Sequence, residues 1–316
     1  MHENEVVMVV GCPASGKSTL SMDLKKNSYT HLSRDISGGK VVDLLPRMIA
    51  ALSDGSNVVL DNTHPTAAVR KPFIDACKLR KVRIRCEWMS TSIEDAQINA
   101  LHRMWDRHGR LFLTAEEIKN SPTAAEDPNI FPSAVLFKFR KEFEKPTVAE
   151  GFESVKKVKF ERNHHPSTNA ATLFDYDGTL RESSGDQQYP CHPDEVVVEE
   201  YKAARVRELQ EQGRLLFGVS NQSGVAKGML THSDATACFK ETNRQLGVEM
   251  PVVFCPHRIP PLSCYCRKPQ AGMGVYLIRK YELYPPDVIM VGDQKTDQTF
   301  AKRLGFEYVD QEDFFA

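Results

Sequence analysis

An apolar run, Val6-Val7-Met8-Val9-Val10, leads without interruption into Gly11-Cys12-Pro13-Ala14-Ser15-Gly16-Lys17-Ser18-Thr19. No other junction in the chain constrains the fold as much. The run is far too short to span a bilayer and reads as a buried parallel strand. The segment after it satisfies the phosphate-binding-loop spacing, Gly-x4-Gly-Lys-Ser/Thr. Gly11, Ser15 and Gly16 are small enough for backbone N–H groups to curl around phosphate oxygens, and the next helix points its positive end there. The pattern assigns Lys17 to the β- and γ-phosphates of a nucleotide and Ser18 to Mg²⁺, with Thr19 closing the loop. A Gly-rich turn into a helix is the plainer alternative. The strand before it and the amphipathic Leu20–Lys26 after it argue against that.

Alternation follows. Tyr29-Thr30-His31-Leu32-Ser33-Arg34-Asp35 reads as a short strand ending in a charged pair. A carboxylate at a strand end beside a phosphate loop can take the proton of an attacking hydroxyl, which gives Asp35 a base's role; a solvated Arg–Asp turn is the alternative. A helix over Val41–Leu52 precedes a strand over Asn57–Leu60 that ends in Asp61-Asn62-Thr63-His64-Pro65. Asp61 is suited to hold Mg²⁺ through water or to orient Asp35. Arg70 falls on the next helix, and its plainer reading is that it is solvated. A strand over Lys81–Met89 and a helix over Ser92–Arg107 complete a pattern that argues a parallel sheet. Leu101 to Arg110 is dense in cations, and Arg103 and Arg107, four apart, share a helix face. Kinases of this type close a cationic lid over the moving phosphoryl group, whereas most charged helix ends are merely solvated.

Composition sets bounds. A chain of 316 residues is comfortable for two cores, and 41% hydrophobic with 26% charged residues is ordinary for a globular protein. Basic residues outnumber acidic ones 24 to 20 over residues 1–160, and acidic outnumber basic 22 to 17 over the remainder. The excess in the first half is weak evidence for a polyanion partner, and the second half calls for cations. Met1 to Glu5 lacks the basic start of a secretory signal. The eight cysteines are therefore expected to be reduced and the protein to act inside the cell, away from membranes.

In the second half, Lys156–Phe160 reads as a last strand and the apolar-poor stretch Glu161 to Asn169 as a linker between domains over 1–162 and 168–316. A strand over Ala170–Phe174 then delivers Asp175-Tyr176-Asp177-Gly178-Thr179-Leu180. Alternate side chains at a strand end project to one side, so Asp175 and Asp177 can reach one spot above the sheet edge. One would attack phosphorus and the other handle the leaving group's proton; an acidic turn is the alternative. Arg181–Pro193 reads as a loop, Glu195–Gln212 as a helix, and Arg214–Val219 as a strand ending in Ser220-Asn221. Thr231–Leu246 reads as a helix and Pro251–Phe254 as a strand. Arg267-Lys268-Pro269 places a lysine on a loop, and Val288–Val291 is a strand running into Gly292-Asp293, with Asp297 just beyond. The intervals between Asp175, Ser220 and Lys268 leave no room for a large cap domain, and an open site suits bulky or polymeric substrates.

Cys255-Pro256-His257, six further residues, and Cys264-Tyr265-Cys266 form a Cys-x-His…Cys-x-Cys array. Three thiols and an imidazole make a closed tetrahedral set, which argues a structural Zn²⁺ stapling the proline-rich loop that ends at Lys268. Cys12, Cys77, Cys86, Cys191 and Cys238 are scattered and read as packing residues.

Two resemblances join these motifs. Most of residues 5–160 resembles the kinase domain of the polynucleotide kinase–phosphatases. The likeness lies in the phosphate loop, Ser33-Arg34-Asp35, Asp61-Asn62-Thr63 with Arg70 downstream, and the long run Phe139 to Phe152. It implies that Asp35 activates a 5′-hydroxyl, that Lys17 and Arg103 stabilise the γ-phosphate, and that ATP is the donor. The family has Asn-Arg-Asp where this chain has Ser33-Arg34-Asp35, a departure that leaves the base in place. From Leu173 onward the chain resembles the haloacid-dehalogenase-type phosphatases. That likeness implies Asp175 as nucleophile, Asp177 as acid–base, Ser220 on the phosphoryl group, and Lys268 neutralising both. It also implies Mg²⁺ held by Asp175, Asp293 and the Asp177 backbone carbonyl, with Asp297 positioning a water or Lys268. The run Ser220 to Gly228 is similar to the phosphatase of the same bifunctional family; the animal enzymes place phosphatase first, and this chain places kinase first. The spacing of Cys255, His257, Cys264 and Cys266 resembles the zinc loop of the histidinol-phosphate and heptose-bisphosphate phosphatases, with a shorter connector.

The expected fold is α/β: a P-loop kinase parallel sheet followed by a Rossmann-like haloacid-dehalogenase phosphatase domain without a large cap. The expected activity is healing of DNA or RNA ends, with ATP, Mg²⁺ and structural Zn²⁺, ahead of a ligase. A small-metabolite kinase–phosphatase is the rival that the zinc loop suggests. A binding module with dead sites is disfavoured, because neither site lacks a key residue.

Overall fold

The structure, a computed structural model, describes residues 4–162, 167–258 and 264–316. The expected linker lies partly outside these residues, as do Pro260 and Pro261 of the Cys/His loop. The chain divides into two compact units, one of Met1–Ala100 with Ala125–Arg162 and one of Leu101–Ala124 with Asn163–Ala316. Each is an α/β unit built on a five-stranded parallel sheet.

In the first unit the strands are β1 (Glu5–Val10), β2 (Tyr29–Ser33), β3 (Asn57–Asp61), β4 (Arg83–Met89) and β5 (Val155–Val158), in the spatial order β2-β3-β1-β4-β5. Alternation along β1 feeds two cores. Val6, Met8 and Val10 pack with Leu44, Met48 and Phe73 on one face, and Val7 and Val9 with Val59, Met89 and Leu20 on the other. A β-branched strand covered on both faces is why this run is uniformly apolar. β2 stops at Ser33, and Arg34–Ser37 is a single helical turn, not the end of a strand. The Ser33 hydroxyl caps that turn by accepting from the Asp35 N–H at 3.2 Å.

Arg70 is not solvated. Its side chain is fully buried in helix Ala67–Leu79. Its Nε and Nη2 donate to the Glu150 carboxylate at 2.7 and 2.8 Å, and its Nη1 to the carbonyls of His64 and Glu144 at 3.0 and 2.9 Å. The planar fork matches a carboxylate two-fold, so one arginine fastens the end of β3 to the run before β5.

In the second unit β6 (Asn169–Phe174), β9 (Leu215–Asn221), β10 (Val252–Cys255), β11 (Leu283–Gly292) and β12 (Glu307–Asp310) stand in the order β10-β9-β6-β11-β12. The stretch expected to open helix Glu195–Gln212 instead holds a two-residue strand. β7 (Glu182–Ser183) pairs antiparallel with β8 (Val196–Val197), and the helix begins at Glu200. Val196 and Val197 are β-branched and end the loop as a hairpin. Between β6 and Lys268 the described residues hold this hairpin, the core strands β9 and β10 and the helices that cover them, and no cap domain. The segment Leu101–Ala124 belongs to this unit: the Tyr265 N–H donates to the Leu113 carbonyl at 2.9 Å, and Trp105 meets Tyr276 edge to face. Among the described residues no helix is long and apolar enough to cross a membrane.

Candidate active sites

Parallel strands bring their C-terminal ends to one rim, where α/β folds hold ligands. In the second unit register aligns Phe174 with Val291 and Gly218, and Ser220 with Phe254. Asp175, Ser220 and Asp293 therefore emerge along one edge. Lys268 joins Asp175 to Asp297. Its Nζ lies 2.7 Å from Asp175 Oδ1, 2.7 Å from Asp297 Oδ1 and 2.7 Å from the Val219 carbonyl. The loop carrying it is pinned by a reciprocal pair of bonds: the Lys268 N–H donates to Asn221 Oδ1 at 2.9 Å, and Asn221 Nδ2 donates to the Lys268 carbonyl at 3.1 Å.

Two glycines make the approach possible. A Cβ at Gly292 would lie 2.6 Å from Asp297 Oδ2. Gly178 has φ of 84°, and a Cβ there would lie 2.7 Å from Asp293 Oδ2. Asp177 is held separately: Arg181 Nε donates to one oxygen at 2.8 Å and Gln222 Nε2 to the other at 2.6 Å. Gln222 also donates to Ser220 Oγ at 2.9 Å, which links Asp177 to the Ser220 hydroxyl. Arg181 and Gln222 are two site residues that the sequence reading did not single out. A third is Tyr189, whose ring sits on the loop after β7. Burial and the charges of Asp293, Asp177 and Asp175 raise its phenol, and Gln294 hydrogen-bonds it.

The cluster is electrostatically tense. Burial, with the charges of Asp297 and Asp177, pushes Asp175 up to about 7 against the pull of Lys268. Burial and Asp297 raise Asp293 as well. Burial opposes the charge on Lys268, yet Asp175 and Asp297 hold its ammonium above the usual range. Ligand atoms of Asp175, Asp293 and Asp297 all lie within 4.8 Å of one another. Crowded hard oxygen donors with raised affinity for a proton fit Mg²⁺, which would relieve the repulsion. The carboxylate of Asp177 is not in that group; the expectation there concerned its backbone carbonyl.

Cys255, His257, Cys264 and Cys266 converge as spaced. Sulfur of Cys255 lies 3.4 Å from His257 Nδ1 and 3.7 Å from Cys264 sulfur, and His257 Nδ1 lies 3.1 Å from Cys266 sulfur. Zn–S bonds of 2.3 Å in a tetrahedron give sulfur–sulfur edges of about 3.8 Å, so the four groups fit zinc without rearrangement. The other five cysteines are unbridged, and of these only Cys191 is not buried.

The first unit forms the phosphate-loop rim. Gly11 and Gly16 take φ values of 159° and 91°, and helix Lys17–Lys26 starts there. Ser15 and Lys17 are buried, and Lys17 Nζ donates to the Cys12 carbonyl at 2.7 Å. Asp61 ends β3 beside Ser33, with which it is in register. Burial works against its charge, but hydrogen bonds from His31 and Ser18 and the charge of Lys17 hold it below the usual carboxylate range. Asp35 stands two residues past Ser33 at the same rim, its side chain 51% exposed and 3.8 Å from Arg34. Asn62 is buried, with no hydrogen-bond partner for Nδ2. His64 is fully buried, bonds the Val9 carbonyl at 2.9 Å, and is pushed down to about 4 by that burial, so it is neutral. Arg103 lies on helix Ile93–His108, in the part that groups with the second unit.

Comparison with known proteins bears on both rims. A family model described as AAA domain matches residues 6–128, and one described as HAD-hydrolase-like matches residues 265–309. The chain is 32% identical over 160 residues to a bifunctional polynucleotide phosphatase/kinase of Schizosaccharomyces pombe, a match covering 50% of this chain and 34% of that protein. It therefore spans about a third of that relative's length. It is 32% identical over 143 residues to a probable D-glycero-D-manno-heptose-1,7-bisphosphate 7-phosphatase of Thermoplasma volcanium, covering 42% of this chain and 92% of that one. A crystal structure of D,D-heptose 1,7-bisphosphate phosphatase from B. bronchiseptica, complexed with magnesium and phosphate, is 26% identical with a TM-score of 0.40, over 44% of this chain and 78% of that one.

Proposed function

Through its second domain this chain belongs to the haloacid-dehalogenase-like phosphatases, the family of the heptose-bisphosphate 7-phosphatases, and we propose that, together with its P-loop kinase domain, it heals polynucleotide ends. The first domain would phosphorylate a 5′-hydroxyl from ATP, and the second would remove a 3′-phosphate. The observation that carries this reading is the pairing of two phosphoryl-handling rims in one chain, the hydrolytic one without a cap domain among the described residues. An uncapped rim admits the end of a polymer. The polynucleotide phosphatase/kinase relative supports the same substrate class.

At the phosphatase rim, Asp175 attacks phosphorus in line, forming the Asp175 O–P bond as the bond to the leaving oxygen breaks. Asp177, oriented by Arg181 and Gln222, gives its proton to that oxygen. It then takes one from water, which attacks phosphorus, breaks the aspartyl-phosphate and frees phosphate. Lys268 and Ser220 hold the phosphoryl oxygens, and Asn221 fixes the Lys268 loop. Asp175, Asp293 and the Asp177 carbonyl would hold Mg²⁺, which supplies charge neutralisation at the phosphoryl group. Asp297 keeps Lys268 in place. At the kinase rim, Gly11, Ser15, Gly16 and Thr19 cradle the phosphates of ATP, and Lys17 offsets the charge that moves. Ser18 and Asp61 would hold Mg²⁺, and Asp35 takes the proton of the attacking 5′-hydroxyl.

A second reading has its own observation. The Cys/His cluster and the near-complete overlap with the heptose enzyme favour a sugar phosphate as the phosphatase substrate. One assay separates the two. The protein is incubated with labelled ATP and oligonucleotides bearing 5′-hydroxyl and 3′-phosphate ends, beside a panel of sugar phosphates. Label transfer and phosphate release from the oligonucleotides are the expected result. Turnover of a sugar phosphate with none of either oligonucleotide reaction would replace this reading with the second. Product ends of 5′-phosphate and 3′-hydroxyl are those a ligase joins, which places a ligase next in sequence.

A further inference from the structure

The phosphate-loop rim contains a buried pair, His31 and Asp61, of which the mechanism above uses only Asp61. β2 and β3 run parallel, with His31 opposite Val59 and Ser33 opposite Asp61. His31 thus lies two residues inside the rim, and its ring reaches toward it. His31 Nε2 is 3.1 Å from Asp61 Oδ2, and the two side chains are only 6% and 5% exposed. Nδ1 of the same ring is buried and has no hydrogen-bond partner among the described residues. With the proton on Nε2, the ring is a donor to Asp61, and its other nitrogen is an acceptor.

A carboxylate at a strand end can turn about its last torsion, whose wells are broad. A bond to one oxygen from a ring that is itself packed into the sheet removes that freedom. The carboxylate then meets the phosphate loop in one orientation, toward the Ser18 hydroxyl and the Lys17 charge. Partners of this kind, one step removed from a reacting centre, commonly matter almost as much as the groups they hold.

We propose that His31 is a positioning residue of the kinase domain, holding Asp61 in the orientation that receives magnesium-bound nucleotide. The proposal rests on the P-loop kinase reading but on no particular acceptor. Its test therefore includes a measurement without one. Binding of a fluorescent ATP analogue is titrated with and without Mg²⁺ in wild type, His31→Phe and His31→Gln. Transfer kinetics, the phosphatase rate and the thermal midpoint are measured on the same samples. Phenylalanine keeps the buried ring and removes the donor; glutamine keeps a donor.

The expected result is that His31→Phe weakens Mg²⁺-dependent nucleotide binding and lowers kcat by about 10- to 100-fold, while the phosphatase rate and midpoint stay put. His31→Gln should recover most of the loss. Two results overturn the proposal: a His31→Phe variant that binds and transfers like wild type, or a folded His31→Gln variant as impaired as His31→Phe, which would make the effect one of ring packing. Wild type that binds ATP with Mg²⁺ but phosphorylates no oligonucleotide refutes the acceptor proposed above and leaves the His31 role to be decided by the binding arm. Wild type that binds no ATP overturns both.

Discussion

At the phosphatase rim the charged groups hold one another, whereas at the phosphate-loop rim some buried polar atoms have no partner among the described residues. Lys268 bridges Asp175, Asp297 and the Val219 carbonyl, and Asp177 is clasped from both sides. Asn62 Nδ2 and His31 Nδ1 are buried without a partner, and Asp35 is half exposed. The difference follows from what each rim must do. A hydrolase of this kind carries its nucleophile in its own chain, so its charges can be set in advance. A kinase brings two substrates together, and groups that satisfy each other beforehand would have to be parted when the nucleotide arrives.

The sharpest way to break this comparison is to disable one rim at a time. Asp175→Asn should lower phosphatase activity by roughly 10⁴-fold or more, since a lost nucleophile leaves only binding and orientation. Its kinase rate should not change. Lys17→Ala should lower kinase activity by about 10³-fold and spare phosphate release. Both rates are read on each variant with the same oligonucleotides. A kinase rate that falls with Asp175→Asn would show that the rims are not independent.

The Cys/His loop tests whether the set arrangement of the phosphatase rim is held from outside it. Cys264→Ser should remove zinc, read as metal content, and lower the thermal midpoint by roughly 5 °C or more. The same loop ends at Lys268, so phosphatase activity should fall further than kinase activity. Retained zinc, or equal losses at both rims, would detach the metal from the site.

Proton competition sharpens the comparison further. Burial, with the charges of Asp297 and Asp177, pushes Asp175 up to about 7, so its carboxyl should be neutral below that pH and, above it, a carboxylate able to ligate. Mg²⁺ must displace that proton. The half-saturating Mg²⁺ for phosphate release should rise about tenfold per unit as pH falls below 7 and level off above it. The kinase rim, where Asp61 is held below the usual range, should show no such rise between pH 6 and 8. Initial rates across a Mg²⁺ series at each pH decide the matter.

These groups were unequally legible in the sequence. Lys17, Asp175, Asp177, Asp293 and the four zinc candidates stand in short motifs, where spacing alone implies a shared location. The clasp on Asp177 needed the register of β6 against β9, which brings Gln222 from 45 residues away. Arg70 looked solvated because Glu150, the partner that makes its burial tolerable, lies 80 residues on. Helix Gly272–Tyr281 was missed because glycines weaken its pattern. Gly274 is there for packing: a Cβ would lie 2.2 Å from Leu304. β11 was read too short because Pro285 and Pro286 speak against a strand, and its pairing with β6 is indeed irregular between Leu283 and Val288.

The smallest expected effect concerns a place where the kinase motif departs from the polynucleotide kinase–phosphatases it resembles. Ser33 stands where the family has Asn, and its hydroxyl accepts from the Asp35 N–H to cap the turn Arg34–Ser37. Asn and Ser are nearly equal as caps, because each places an oxygen over the same free N–H groups. Ser33→Asn should therefore change stability by no more than about 0.5 kcal/mol and leave the transfer rate within about twofold. Ser33→Ala removes the oxygen and should cost about 1 kcal/mol locally. Because that turn carries Asp35, Ser33→Ala should lower kcat for transfer without shifting the half-saturating ATP, and leave the phosphatase rate alone. If Ser33→Asn is instead as slow as Ser33→Ala, the residue does more than cap, and the half-exposed Asp35 at this rim is more narrowly placed than its surroundings imply.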